Sequence, residues 1–269
     1  MREAQDFLEE SEALAALLAP LEDEDFARPT QFKGWTIDDV LGHLHIFNHA
    51  AELTLARPDA FGPFLASIMD QVAEGRTLAE AQRGWIGDLT GRALLAAWRD
   101  GAARLAEVYA AADPKTRVKW AGPDMSARSS ITARQMETWA HGQEVFDLLG
   151  ASRADTDRLR NIAHLGVVTI PFAFSIRGET PPDPPLHVRL IAPSGAIWEW
   201  NEPQTDNRID GSATAFCQTA AQVRNAADTD LRATGPAAER WLQIAQCFAG
   251  APHDPPAPGA RYRQTGERG

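Results

Sequence analysis

"RQMETWAHGQEVFDLLG", residues 134–150, sets Glu137 and His141 four places apart inside an apolar helical pattern. Trp139, Val145 and Leu148 supply the apolar positions, and Gly150 stands at the C′ position that closes a helix. Four helical residues advance the direction by about 40° and the rise by about 6 Å, so both side chains reach one point off the helix. Ionisable groups beside a core are costly unless something satisfies them. A carboxylate with an imidazole suits a borderline divalent ion. An ordinary i,i+4 surface pair is the plain alternative.

Working back along the chain, the first 150 residues read as helices. Phe7, Leu8, Leu14, Leu17 and Leu18 recur at near-helical period over 3–19, and Pro20 ends that run. Thr36 with Asp39 forms a capping pattern, Trp35 before it is a candidate staple, and "IDDVLGHLHIFNHAAELTLA" continues to Arg57-Pro58. A shorter segment covers about 61–74, and Thr90 opens a helix with Leu94, Leu95, Trp98, Leu105 and Val108 in register. "PKTRVKWAGPDMSARSS" is a loop punctuated by Pro, Gly and Ser. Four long helices imply a four-helix bundle, a fold that builds metal sites from facing helices.

The second half differs. "LHVRLIAPSGAIWEWN" alternates on both sides of Pro193-Ser194-Gly195, a strand–turn–strand signal. "NRIDGSA" and "DTDLRATG" suggest further strands, while "ATAFCQTAAQVRNAA" and "PAAERWLQIAQCFAG" read as helices. The expected organisation is a metal-binding four-helix bundle over 1–150, a smaller α+β domain over 151–251 and a disordered tail over 252–269.

Bulk properties exclude several classes. A net charge of −11 opposes non-specific binding to nucleic acid or to an anionic membrane surface. No apolar run approaches the roughly 18 residues that span a bilayer, and the N-terminus lacks a signal-peptide core, so a cytoplasmic location is expected. Cys217 and Cys247 make neither a disulfide framework nor a metal-type pair. Dinucleotide, P-loop, zincin and serine-elbow motifs are missing. His164 and His187 stand alone and read as structural, and Trp198 and Trp200 share one strand face.

A third ligand for Glu137 and His141 must come from His43, His45 or His49. Val40, His43, Phe47 and Ala50 share the more inward face, which favours His43, though periodicity separates it only weakly from His45. Two histidines and one carboxylate form the catalytic zinc pattern when a fourth position stays open.

The residues quoted above resemble the DinB-like, mycothiol-dependent maleylpyruvate isomerase family of actinobacteria. "GWTIDDVLGHL" (34–44) fits its W-(S/T)-x-x-(D/E)-(V/L)-x-x-HL segment, and Arg134, Glu137, His141 and Gly150 fit its later R-x-x-E-x-x-x-H segment. Glu144 stands where the family usually carries aspartate. The resemblance implies metal ligands His43, Glu137 and His141, deciding among the three histidines. It implies a divalent ion, Zn²⁺ first with Ni²⁺ or another transition metal as alternatives, and mycothiol as co-substrate. It implies a thiol-dependent isomerase or S-transferase acting on a small electrophile, with Arg224 of the second domain reaching over the cleft. Arg177 is a further candidate for a substrate carboxylate; Glu144 could orient a ligand and Arg134 could pair with it or another acid, but a solvated helix face is the favoured reading of both. The competing reading is a non-catalytic metal- or ligand-binding protein on the same scaffold.

Overall fold

The computed structural model describes residues 1–264, which form two compact units, one over Met1–Leu149 and the other from Gly150 onward. In the first, the helices in chain order are α1 (Arg2–Leu18), α2 (Ile37–Ala56), α3 (Pro58–Ala73), α4 (Leu78–Ile86), α5 (Gly91–Ala111) and α6 (Ala127–Leu148). The long ones, α1, α2, α5 and α6, are the four-helix bundle: α1 and α2 each pack on α5 and α6. The short pair α3 and α4 packs on α2 and on each other.

Local chemistry fixes these boundaries. Thr36 Oγ1 accepts the Asp39 N–H at 3.1 Å and Asp39 Oδ2 accepts the Thr36 N–H at 3.0 Å, a complete capping box that starts α2. Asp38 and Asp39 also put negative charge at the positive end of the helix dipole. Thr36→Ala removes the cap, and the expected loss is about 1 kcal/mol, read as a lower urea midpoint at unchanged slope. Pro58 at the first turn of α3 closes α2 and opens its successor. The α4 helix, to which no element was assigned from periodicity, has the same kind of box in Thr77 and Glu80.

The bundle core is layered. Leu14, Leu18, Leu41, Leu44, Leu94, Trp98, Val145 and Leu148 form one cluster, and Phe7, Ala51, Leu105, Tyr109 and Ile131 belong to the next. The α6 helix also buries Arg134, Gln135, Thr138, Gln143, Glu144 and Asp147. A helix that carries this much polarity inward marks the part of the core where a site is built. The loop before α6 contains a two-residue antiparallel ladder, β1 (Arg117–Val118) with β2 (Met125–Ser126).

The second unit is α+β. Its elements are α7 (Leu159–Val168), α8 (Ile170–Ser175), β3 (His187–Ile191), β4 (Ile197–Trp200), β5 (Arg208–Ser212), α9 (Ala213–Ala220), β6 (Arg232–Thr234) and α10 (Pro236–Ile244). The sheet order is β4-β3-β5-β6, with β3 and β5 parallel and the other pairs antiparallel. Val188, Leu190 and Ile209 are buried, and Phe216 stacks on Trp241 at 5.0 Å. The α9 and α10 helices stop earlier than their sequences suggest. Gln222, at φ +55°, leaves the helical region and donates to the carbonyls of Ala245 and His253.

The expected tail from Pro252 meets that same knot. Arg177 donates to His253 O, Asn225 to Pro256 O, and Arg261 to Gln222 O, so the segment is tied to its unit by side chains rather than by a core. Residues 265–269 of that expected tail lie outside the described residues. Among the described residues no helix is long and apolar enough to cross a membrane.

Candidate metal centre

The α2 and α6 helices bring three side chains together. Glu137 Oε2 lies 3.3 Å from His43 Nε2 and 3.3 Å from His141 Nε2. The three donor atoms all fall within 4.8 Å of one another. Ligands about 2.0–2.1 Å from a tetrahedral ion stand roughly 3.3–3.4 Å apart, the edge of the tetrahedron. The two edges at Glu137 Oε2 match, and the N, N, O donor set is one that zinc and its neighbours take. The residues therefore fit a divalent ion.

The electrostatics agree. Burial pushes His43 down to about 4, a shift opposed by its hydrogen bond to Glu137. Burial would raise the Glu137 carboxyl, but hydrogen bonds to His141 and His43 hold it well below the usual range. At neutral pH His43 is thus an uncharged imidazole and Glu137 a carboxylate, the states in which both ligate. His43 is 8% exposed, whereas Glu137 and His141 are only half-buried, so the cluster opens on one side.

An aromatic collar surrounds the two rings. Trp35 stacks on His141 at 5.7 Å and meets His43 at 5.2 Å; Phe32 meets His141 edge-on at 5.0 Å, and Phe47 lies 4.8 Å from His43. Phe32 and Trp35 come from a tight loop in which Trp35 N–H donates to Phe32 O, turned by Gly34 at φ +70°. Trp35 thus faces the site. On the other side, Gly42 admits α4: a Cβ there would sit 2.4 Å from Ile86 Cδ1. This approach brings Gln82 Nε2 to 3.0 Å from His43 Nδ1.

The remaining candidates sort differently. His45 and His49 lie apart from the cluster, against Trp85 at 5.5 and 5.4 Å. Arg134 and Glu144, expected on a solvated face, are both 2% exposed; Arg134 Nε donates to Asn48 Oδ1 across to α2, and its guanidinium lies over Phe47. Arg224 belongs to the second unit, beyond the end of α9, where Nη1 donates to Val223 O at 3.0 Å. Arg177 is spent on His253 O and Asp254. His187 is buried on β3, facing Glu199 at 3.4 Å. Phe47 shares the inward face of α2 with His43, whereas Phe32 and Gln82 carry no sequence signal of their own, because they reach the site through loop and interhelix packing.

Residues 7–146 match the family model described as the mycothiol maleylpyruvate isomerase N-terminal domain. The chain belongs to that family. Two uncharacterized proteins of Mycobacterium tuberculosis, from strains CDC 1551 / Oshkosh and ATCC 25618 / H37Rv, are each 40% identical over 247 residues, 92% of this chain and 95% of theirs. The crystal structure of the mycothiol-dependent maleylpyruvate isomerase aligns with a TM-score of 0.55 at 16% identity, covering 86% of this chain and 91% of that one. A histidine-to-alanine mutant of it aligns with a TM-score of 0.54 at 17% identity over the same shares. At such identities the likeness is one of fold.

Proposed function

We propose that the protein is a divalent-metal-dependent enzyme that uses a small thiol, mycothiol in the first instance, to isomerise or transfer onto a small electrophilic substrate. His43, Glu137 and His141 are its metal ligands, with Zn²⁺ the first candidate. The observation that carries this reading is the pair of 3.3 Å edges meeting at Glu137 Oε2, made by two imidazoles and a carboxylate on facing helices. Membership of the mycothiol maleylpyruvate isomerase family supports the thiol.

A divalent ion held there would act as a Lewis acid, lowering the pKa of a thiol or water at the fourth position toward neutrality. The chain's own residues do the rest. Glu137 would offset part of the charge of an ion held there, and His43 and His141 would supply the two neutral donors. Trp35, Phe32 and Phe47 exclude water from around the rings, which strengthens every charge interaction inside. Arg224 is our candidate for holding a substrate carboxylate, since a guanidinium grips that group through two parallel hydrogen bonds.

The test is turnover by the Zn²⁺-loaded protein with mycothiol and a panel of small α,β-unsaturated acids and other electrophiles. The expected result is thiol-dependent conversion well above the protein-free background, reduced by Arg224→Ala through KM. Stoichiometric metal with no thiol-dependent turnover on the whole panel would instead make it a binding protein on the same scaffold.

A further inference from the structure

We propose that Gln82 is the positioning residue for His43, and that its side-chain amide turns over when an ion binds. This rests on His43 being a metal ligand. Gln82 sits on α4, a helix outside the four-helix bundle, with 2% of its surface exposed. Its Nε2 is 3.0 Å from His43 Nδ1, while His43 Nε2 is 3.3 Å from Glu137 Oε2. In this arrangement Gln82 donates to Nδ1. The neutral ring then carries its hydrogen on Nε2 and donates it to the Glu137 carboxylate.

An ion changes that pattern at one atom. Ligation through Nε2 needs the lone pair there, so the hydrogen belongs on Nδ1. Nδ1–H would then face the Gln82 NH₂ group, donor against donor. Rotating the terminal amide by half a turn replaces Nε2 with Oε1 and restores the bond, with no change in proton count. The half-turn exchanges an oxygen and an NH₂ group of nearly equal size, so it leaves the packing of the buried side chain unchanged. Gln82 therefore holds the ring at the same angle in both states and selects the ligating tautomer in one of them.

The experiment measures Zn²⁺ affinity by competition with a chelating dye in wild type, Gln82→Met and Gln82→Glu. Imidazole ¹⁵N shifts of His43 are recorded before and after loading. Methionine keeps the volume but makes no such bond, so affinity should fall about 10–100-fold, the usual loss for an outer partner of a ligating histidine. Glutamate accepts permanently and should restore wild-type affinity or better. In the wild type the protonated nitrogen of His43 should switch from Nε2 to Nδ1 on loading. Wild type that binds Zn²⁺ with Gln82→Met within about threefold of it overturns the proposal and leaves the metal site standing, since a merely packed residue predicts no affinity change. So does equal weakening by methionine and glutamate, or a loaded wild type that keeps its hydrogen on Nε2. Wild type that takes up no Zn²⁺ overturns the metal reading and this proposal together. The shifts, read on the wild type, need no variant to fold.

Discussion

His141→Ala, purified without chelator, carries under about a tenth of an ion per chain where the wild type carries about one, because three protein ligands are the minimum of a catalytic zinc site. The remaining pair, His43 and Glu137, lies on separate helices and offers two donors. The affinity loss should exceed the roughly 100-fold ceiling seen for outer-sphere partners, since a coordination bond itself is removed. The bundle should survive. His141 is half-buried at the rim, and it loses the contact with Glu137 and ring contacts with His43, Trp35 and Phe32 rather than core packing. Glu137 keeps its hydrogen bond to His43 in the variant. Elemental analysis gives the ion content, and circular dichroism with a melting curve shows whether the helices remain. A folded variant with about one tightly held ion per chain contradicts the three-ligand site.

The three candidate ligands are legible in the sequence for a reason that does not extend to the residues that support them. Glu137 and His141 share a helix, so their juxtaposition follows from helical geometry alone. His43 comes from another helix, and period alone barely parts it from His45; the family motif does so, through the Trp35–Thr36 spacing before it. The α1 and α5 helices show their period because each buries one stripe. The α6 helix hides its burial: with polar groups such as Arg134 and Glu144 turned inward, its inner and outer faces look alike in hydrophobicity, and both residues read as solvent-facing.

Elements set by tertiary contact are the least visible. The α4 helix has few apolar positions, and only the Thr77-x-x-Glu80 pattern betrays it, yet it supplies Gln82. In the second unit, α9 looks longer in sequence than it is, because Ala221 to Ala227 contain neither Gly nor Pro to stop it. What ends it is Gln222, drawn into bonds with carbonyls 23 and 31 residues away. Nothing in a local window carries that information.

Trp98→Ala should be the most destabilising single change in the bundle, and it also offers a second handle on the metal. Trp98 on α5 is fully buried in the cluster that holds Leu14 and Leu18 of α1, Leu41 and Leu44 of α2, and Val145 of α6. Truncation of a buried tryptophan costs about 3–5 kcal/mol in lost transfer energy and residual cavity. Trp98 Nε1 is buried without a hydrogen-bond partner, so the variant also sheds an unsatisfied donor, which moves the expected loss toward the lower end of that range. At about 2–4 °C per kcal/mol for a chain of this size, the melting temperature should fall by roughly 10 °C. An ion that binds only the folded state adds stability by mass action, about 2.7 kcal/mol at a hundredfold excess over Kd. Zn²⁺ should therefore recover most of the lost melting temperature in Trp98→Ala and none of it in Trp98→Ala/His141→Ala. Recovery in both variants would mean that the stabilising ion sits elsewhere. A melting temperature unchanged by Trp98→Ala would show that this cluster does not hold the helices that carry the ligands.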